Sequence, residues 1–422
     1  TDDGHVYLPE PELLERTGEL IALPGKDFKT ALDELEALGR VRREVLVHGE
    51  PPAVYLMPLA QAEIGVATRL RALIGKQDLF GPVSRMSASF ANVVWDHLLA
   101  RDPMTRGLSE EQARAVRLAL TSKASVLTGG PGVGKTTTLR AVVALAEEHG
   151  HTVALCSPTG RAAKRLQEAT GRPAKTLHRL LEFNPVEGSF SHNQNNPLPA
   201  DMVVVDEVSM LDLVLANHLF KAIDPAAHVL LVGDIDQLPS VGPGDVLRDL
   251  VHSGAMPVAR LTQVFRQAAQ SDIVANAHRV NHGEEPLFPR ESEDFFLFVE
   301  DNSERAADRV VEVVSERIPR KFGLDPLRDV QVLTPMRRGD AGVIRLNEKL
   351  QATLNPPASD KIERLVAGRT FRVGDRLMQI QNDHRQGVYN GDLGVLMAID
   401  LEAQNLTVRF DGERDIVYEF AD

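Results

Sequence analysis

The 422-residue chain contains one cysteine, Cys156, and one tryptophan, Trp95. A lone cysteine excludes an internal disulfide and any cysteine-rich zinc site. Its place in the apolar run Val153 to Ser157 makes it a core-strand thiol rather than a redox or catalytic one. No apolar run approaches the roughly 20 residues that a membrane helix needs, and no signal-peptide pattern opens the chain. The expectation is a soluble, cytoplasmic protein with no membrane contact. Positive charge is also scarce: 47 Lys and Arg stand against 60 Asp and Glu, a net charge of −13. That balance argues against a protein that coats nucleic acid indiscriminately, so any such contact must be local. The chain begins with Thr1 rather than Met, which reads as a fragment or processed form. Its length implies two to four domains, each able to bury its own core.

Gly129 to Thr137 reads GGPGVGKTT, the pattern G-x-x-x-x-G-K-[ST], directly after the apolar pair Val126 and Leu127. Glycines at these positions let successive backbone N–H groups turn inward around phosphates. Lys135 then reaches β and γ oxygens, and the Thr136 hydroxyl can ligate Mg²⁺. Gly130, Pro131, Gly132, Val133, Gly134, Lys135, Thr136 and Thr137 are therefore the candidate nucleoside-triphosphate cradle. A strand before it (Ser125 to Thr128) and a helix after it (Thr138 to His149) give the context that a Gly-rich turn would lack.

Residues 1–105 carry no catalytic motif. Two amphipathic helical stretches, Glu12 to Ala22 and Asp27 to Leu38, precede strand-like runs Val41 to Val47 and Val54 to Met57, an order resembling a winged helix. The second helix carries Asp27, Asp33, Glu34 and Glu36 against Lys26 and Lys29, the wrong sign for lying among phosphates, so docking to a protein partner or scaffolding is the better reading. From Leu108 strand and helix alternate, with short β-rich runs at Ser125 to Thr128, Val153 to Ser157, Met202 to Val205 and His228 to Gly233, each ending in polar or glycine residues. Strands without polar alternation are buried on both faces, which implies a parallel sheet flanked by helices with ligands at its carboxyl edge. A second α/β unit is expected from helix Asp272 to Asn281, helix Glu304 to Arg317 and strand Val330 to Thr334. Short runs at Arg376 to Gln381, Gly394 to Ile399, Leu406 to Phe410 and Ile416 to Phe420 then suggest a small β-barrel.

Val203-Val204-Val205-Asp206-Glu207 ends an apolar strand in two carboxylates. Downstream of a phosphate loop, Asp206 is the expected Mg²⁺ holder and Glu207 the group that polarises the attacking water, an arrangement that favours hydrolysis over kinase transfer. Gln237, in Gly233-Asp234-Ile235-Asp236-Gln237-Leu238-Pro239, is placed to sense a γ-phosphate. Leu108-Ser109-Glu110-Glu111-Gln112 precedes the loop. Ser157-Pro158-Thr159-Gly160-Arg161-Ala162-Ala163, Lys175-Thr176-Leu177-His178 and Leu261-Thr262-Gln263-Val264-Phe265-Arg266-Gln267 follow it in order.

In this order and content the sequence resembles superfamily 1 DNA helicases, most closely the RecD-like branch that moves 5′ to 3′, from Leu108 to Asp422. The resemblance implies tandem RecA-like parallel-sheet α/β motor domains at 106–268 and 269–370, a pin hairpin at about 182–198, and an SH3-like barrel insertion at 371–422. It implies that Gln112 pairs with adenine and that Arg266 reaches across to the γ-phosphate bound on Lys135. It also implies that Val332 to Arg337 ends a DNA-contacting strand, with Gly387 to Asp392 leading into the barrel. Pro158, Thr159, Gly160, Arg161, Thr176, His178, Thr334, Pro335 and Asn390 become candidate contacts to single-stranded DNA; His178 alternatively reads as a core histidine. Arg161, Lys164, Arg165, Arg172, Lys175 and Arg179, facing only Glu168, supply local positive charge there, while aromatics at 5% of the chain leave grip mainly to the DNA backbone. The family pattern places a T-x-H-x-S-Q-G segment and a V-A-L-T-R-A segment with a second arginine after the barrel. Neither occurs before Asp422, so an incomplete motor is expected.

The resulting expectation is an ATP- and Mg²⁺-dependent 5′ to 3′ helicase acting on single-stranded DNA and the duplex fork, in DNA repair or recombination. An RNA or conjugative-type helicase of the same superfamily, a non-helicase switch ATPase, and a single-strand binding module are the alternatives. Lys135 and Glu207 count against the last of these.

Overall fold

A computed structural model describes residues 4–22, 28–74, 84–101, 104–263, 271–381, 383, 386, 388, 390–410 and 414–420. The chain forms two compact units, Thr1–Leu287 and Phe288–Asp422.

The first unit opens with β1 (Tyr7–Pro9), α1 (Glu10–Leu20), α2 (Lys29–Ala37), β2 (Val41–Glu44), β3 (Ala53–Leu56) and the long α3 (Met57–Ile74). The three strands pair antiparallel in the order β1-β3-β2. Short helices α4 (Arg85–Phe90) and α5 (Trp95–Arg101) lead to α6 (Glu110–Thr121), β4 (Ala124–Gly129), α7 (Lys135–Glu148), β5 (Val153–Ser157), α8 (Gly160–Thr170), β6 (Ala174–Thr176) and α9 (Leu177–Leu180). A hairpin of β7 (Phe183–Asn184) and β8 (Ser189–Phe190) follows. Then come β9 (Met202–Val205), α10 (Leu213–Ala222), β10 (His228–Gly233), α11 (Val246–His252), β11 (Val258–Leu261) and α12 (Asp272–Asn281).

Six of these strands form one all-parallel sheet in the order β11-β4-β10-β9-β5-β6. The apolar strand residues divide by alternation between two cores. Val203, Val205, Val229 and Leu231 face α3, α10 and α11. Met202, Val204, Leu230 and Val232 face α4, α5, α6, α7 and α8. Burial on both faces is why these runs carry no polar alternation. Strands β6 and β11 extend the sheet beyond the four apolar runs legible in the sequence; both are short, and β11 carries the charged Arg260.

The N-terminal region is part of this same unit. Helix α3 packs along α10, with Gly65 directly against the Asn217 side chain, and Gly244 N–H donates to Gly4 O at 3.0 Å. Arg69 also hydrogen-bonds Gln194 beyond the hairpin.

The second unit contains α13 (Ser303–Glu312), a π-helical turn at Val313–Arg317, α14 (Ile318–Phe322) and α15 (Val343–Leu354). The turn interrupts the single helix expected over Glu304 to Arg317. A β12–β13 hairpin (Glu363–Val366, Arg369–Arg372) precedes a four-stranded antiparallel sheet, β14 (Arg376–Met378), β15 (Leu393–Asp400), β16 (Asn405–Phe410) and β17 (Arg414–Glu419). Val388, Leu396, Ile399, Leu406, Val408, Phe410 and Ile416 form its core, as the barrel reading anticipates. The strand expected at Val330 to Thr334 does not form. A strand exists by pairing, no described segment of this unit pairs with it, and Leu333 is 88% exposed. The only parallel sheet among the described residues is therefore the one in the first unit. No helix among the described residues is long and apolar enough to cross a membrane.

Candidate active site

The loop between β4 and α7 is shaped by its glycines. Gly132 and Gly134 adopt φ values of 73° and 84°, which side-chain-bearing residues rarely take. Gly129 sits where a Cβ would lie 2.6 Å from Leu261 O and 2.8 Å from Val133 Cγ2. Helix α7 starts at Lys135 with no side-chain cap on its first N–H groups, so its amino end offers free donors and the positive end of its dipole. Lys135 Nζ donates to Gly129 O at 2.5 Å and to Gly130 O at 2.9 Å, folding its ammonium over the loop. Thr136 and Thr137 are exposed beside it. This donor set fits a polyphosphate.

Asp206 and Glu207 stand at the carboxyl end of β9. Asp206 N–H donates to Cys156 O, and Asp206 Oδ1 accepts from Glu207 N–H at 2.9 Å. Burial pushes the Asp206 carboxyl up to about 6 and Glu207 adds to this, while the Glu207 N–H and the Lys135 charge pull the other way. A divalent cation here would supply the positive charge that this carboxylate lacks. Glu207 itself adopts a left-handed φ of 55°, strain of order 1 kcal/mol that turns the chain sharply off the strand into the 3₁₀ turn Val208–Met210. In that turn Ser209 Oγ donates to Gln237 Oε1 at 3.2 Å, joining the segment after β9 to the one after β10.

Gln112 lies beneath the loop rather than open to solvent. Its Oε1 accepts from Ser109 N–H at 3.0 Å in a capping box at the start of α6, and its Nε2 donates to Val133 O and Gly134 O at 3.5 and 3.4 Å. An adenine contact requires it to exchange these long, weak bonds. Neighbouring Glu111 accepts from Thr262 N–H at 2.8 Å and Thr262 Oγ1 at 2.7 Å, which holds its carboxyl below the usual range and ties α6 to the end of β11. Arg266 lies outside the described residues.

The sheet brings Pro158, Thr159, Gly160 and Arg161 to the end of β5, with Thr176 and His178 at the end of β6, all on the loop's edge of the sheet. Thr159 Oγ1 caps α8 by accepting from Ala162 N–H, and Thr176 Oγ1 accepts from Arg179 N–H, each at 3.3 Å. Each hydroxyl keeps its own proton for donation. Arg161, Lys164, Arg165, Lys175 and Arg179 are exposed; Arg172 is paired with Glu147. His178 is neither fully buried nor isolated: its ring meets Phe183 and Phe190 of the hairpin at centroid distances of 5.6 and 5.8 Å. Thr334, Pro335 and Asn390 lie in the second unit, where Thr334 Oγ1 donates to Ala341 O at 2.8 Å.

A family model described as an AAA domain matches residues 107–295, and one described as an ATP-dependent RecD-like DNA helicase SH3 domain matches residues 346–410. An ATP-dependent RecD2 DNA helicase from Deinococcus radiodurans is 38% identical over 419 residues, which is 98% of this chain and 54% of that protein. The chain belongs to the RecD-like helicase family. A RecBCD enzyme subunit RecD from Mycolicibacterium smegmatis is 36% identical over 322 residues, covering 68% of this RecD-like chain and 57% of that subunit. The chain thus spans a little over half the length of these relatives. The Pif1 helicase from Candida albicans gives a TM-score of 0.41 at 20% identity, over 74% of this chain and 78% of that one.

One group near the loop carries no sequence signal. His278, on α12, lies against Gly130, yet in Ala275-Asn276-Ala277-His278-Arg279 it reads as an ordinary helical residue.

Proposed function

We propose that this chain is the motor of an ATP-dependent DNA helicase that moves 5′ to 3′ on single-stranded DNA and opens duplex at a fork. The observation that carries the proposal is the Lys135 ammonium folded over Gly129 and Gly130 beneath an uncapped helix end, its charge acting on Asp206. In this reading Lys135 and the backbone N–H groups of Gly130 and residues 132–137 hold the phosphates of ATP, and Thr136 and Asp206 hold Mg²⁺. The metal, when bound, neutralises charge on the phosphates. Glu207 orients and deprotonates the attacking water, Gln237 reads the terminal phosphate through its tie to Ser209, and Arg266 completes the charge compensation.

DNA grip falls to Pro158, Thr159, Gly160, Arg161, Thr176 and His178 in motor domain 106–268, and to Thr334, Pro335 and Asn390 in segments 269–370 and 371–422. The hairpin within 182–198 is the pin. Residues 1–105 dock a protein partner through exposed Leu38, Val45, Leu46 and Val47, and the work is done in the cytoplasm.

Hydrolysis with and without oligo-dT, fluorescent-ATP binding, and unwinding of 5′-tailed against 3′-tailed forks test this reading. Lys135→Ala should lose nucleotide binding. Glu207→Gln should bind nucleotide yet hydrolyse it on the order of 10²-fold more slowly or worse. Wild-type hydrolysis by both variants would overturn the site, and unwinding restricted to 3′-tailed forks would overturn the direction.

A further inference from the structure

We propose that His278 is a nucleotide-binding residue that hydrogen-bonds the terminal phosphate of the bound triphosphate; this rests on reading Gly129 to Thr137 as the phosphate cradle. A Cβ built on Gly130 would lie 3.2 Å from His278 Cε1 and 3.8 Å from Nε2, so the imidazole edge presses on the loop at a residue whose missing side chain admits it. His278 Nε2 is buried and has no hydrogen-bond partner among the described residues. A buried polar nitrogen left unpaired costs about 1–3 kcal/mol, and a ligand oxygen at this site removes that cost.

The ring is placed by a fixed frame. Ser271 Oγ caps α12 on Val274 N–H, while Asn276 donates to Leu287 O at 2.8 Å and accepts from Leu287 N–H at 2.6 Å. The choice of phosphate follows from Lys135. A phosphate-loop lysine serves the β and γ oxygens, and here its ammonium rests on Gly130 O, which marks Gly130 as the terminal-phosphate end of the cradle. With its proton on Nε2, the imidazole donates to a γ oxygen held at Gly130, and a diphosphate, which has no γ oxygen, leaves that nitrogen unpaired.

The experiment compares binding of N-methylanthraniloyl ATP and ADP, with Mg²⁺, to the wild-type chain, His278→Ala, His278→Gln and Lys135→Ala, each checked by circular-dichroism melting. His278→Ala should weaken the ATP analogue about tenfold or more and the ADP analogue less than about twofold, the range for one hydrogen bond to a charged group. His278→Gln, which keeps an N–H on a side chain of similar reach, should recover part of the ATP affinity. Equal losses for both nucleotides, or no loss, would overturn the role of His278. Lys135→Ala should weaken both; if it binds both like the wild type, the cradle reading has failed instead.

Discussion

His228 sets a pH limit on the first unit that can be worked from its surroundings. It opens β10, is fully buried, and meets Ser84 Oγ at 2.7 Å and Ser87 Oγ at 3.0 Å through Nε2, and Ala119 O at 3.5 Å through Nδ1. Burial lowers its pKa from 6.5 to about 4, with the Lys123 and His151 charges acting the same way and Ala119 O opposing. For a base held neutral in the folded state, the stabilisation is fully present above the unfolded pKa. It is lost as pH falls from 6.5 towards 4, because only the unfolded chain takes up the proton. At about 1.4 kcal/mol per pH unit the full loss is about 3 kcal/mol, of which about 2 kcal/mol is gone by pH 5. His151, also held down by burial, and the carboxylates add slopes of their own, so the informative quantity is a difference between proteins. Urea unfolding followed through Trp95, the only tryptophan and buried in the same core, should show the wild type losing about 2 kcal/mol more than His228→Gln between pH 8 and pH 5. Parallel pH profiles for the two proteins would refute the reasoning.

Three further outcomes follow from packing. Gly65→Ala should cost about 1–3 kcal/mol and lower the melting temperature of the first unit, since the new methyl overlaps the Asn217 amide on α10; an unchanged melt would mean that α3 does not dock there. Cys156 should resist thiol reagents in the folded protein, because it is buried, donates to Val204 O at 3.3 Å and has its thiol pushed up by burial; rapid labelling without unfolding would contradict this. Replacing Asn184 to Ser189 with a Gly-Ser turn should abolish fork unwinding while oligo-dT-stimulated hydrolysis survives, since Phe183 and Phe190 still meet at 4.9 Å beneath the turn. Undiminished unwinding in a tailed-fork assay would make the hairpin an ordinary surface loop.

The Gly129–Thr137 loop was legible because its geometry is local: Gly132 and Gly134 need their positive φ, and Lys135 acts on carbonyls five and six residues away. The four apolar strands and the Asp206-Glu207 pair were legible for a similar reason, since burial on both sheet faces leaves a continuous hydrophobic run that must end in polar residues. Short pattern and backbone geometry coincide at these places. Elsewhere the sequence pattern misled or was silent. Val330 to Thr334 has strand composition but no pairing neighbour among the described residues, whereas Ala174 to Thr176 has little strand character and is recruited by β5.

By itself, then, the sequence determined the glycine-shaped loop before α7, the acid pair at a strand end, the parallel-sheet class and the small antiparallel barrel, all of which depend on periodicity or on residues within a few positions of one another. Only the tertiary structure decided that α3 and residues 4–6 pack into the first unit, that Gln112 is tied under the loop, that Ser84 and Ser87 meet His228, and that the unpaired nitrogen of His278 faces Gly130. These contacts join residues that are far apart along the chain. No local spacing encodes them, because each depends on which helix faces the sheet closes against one another.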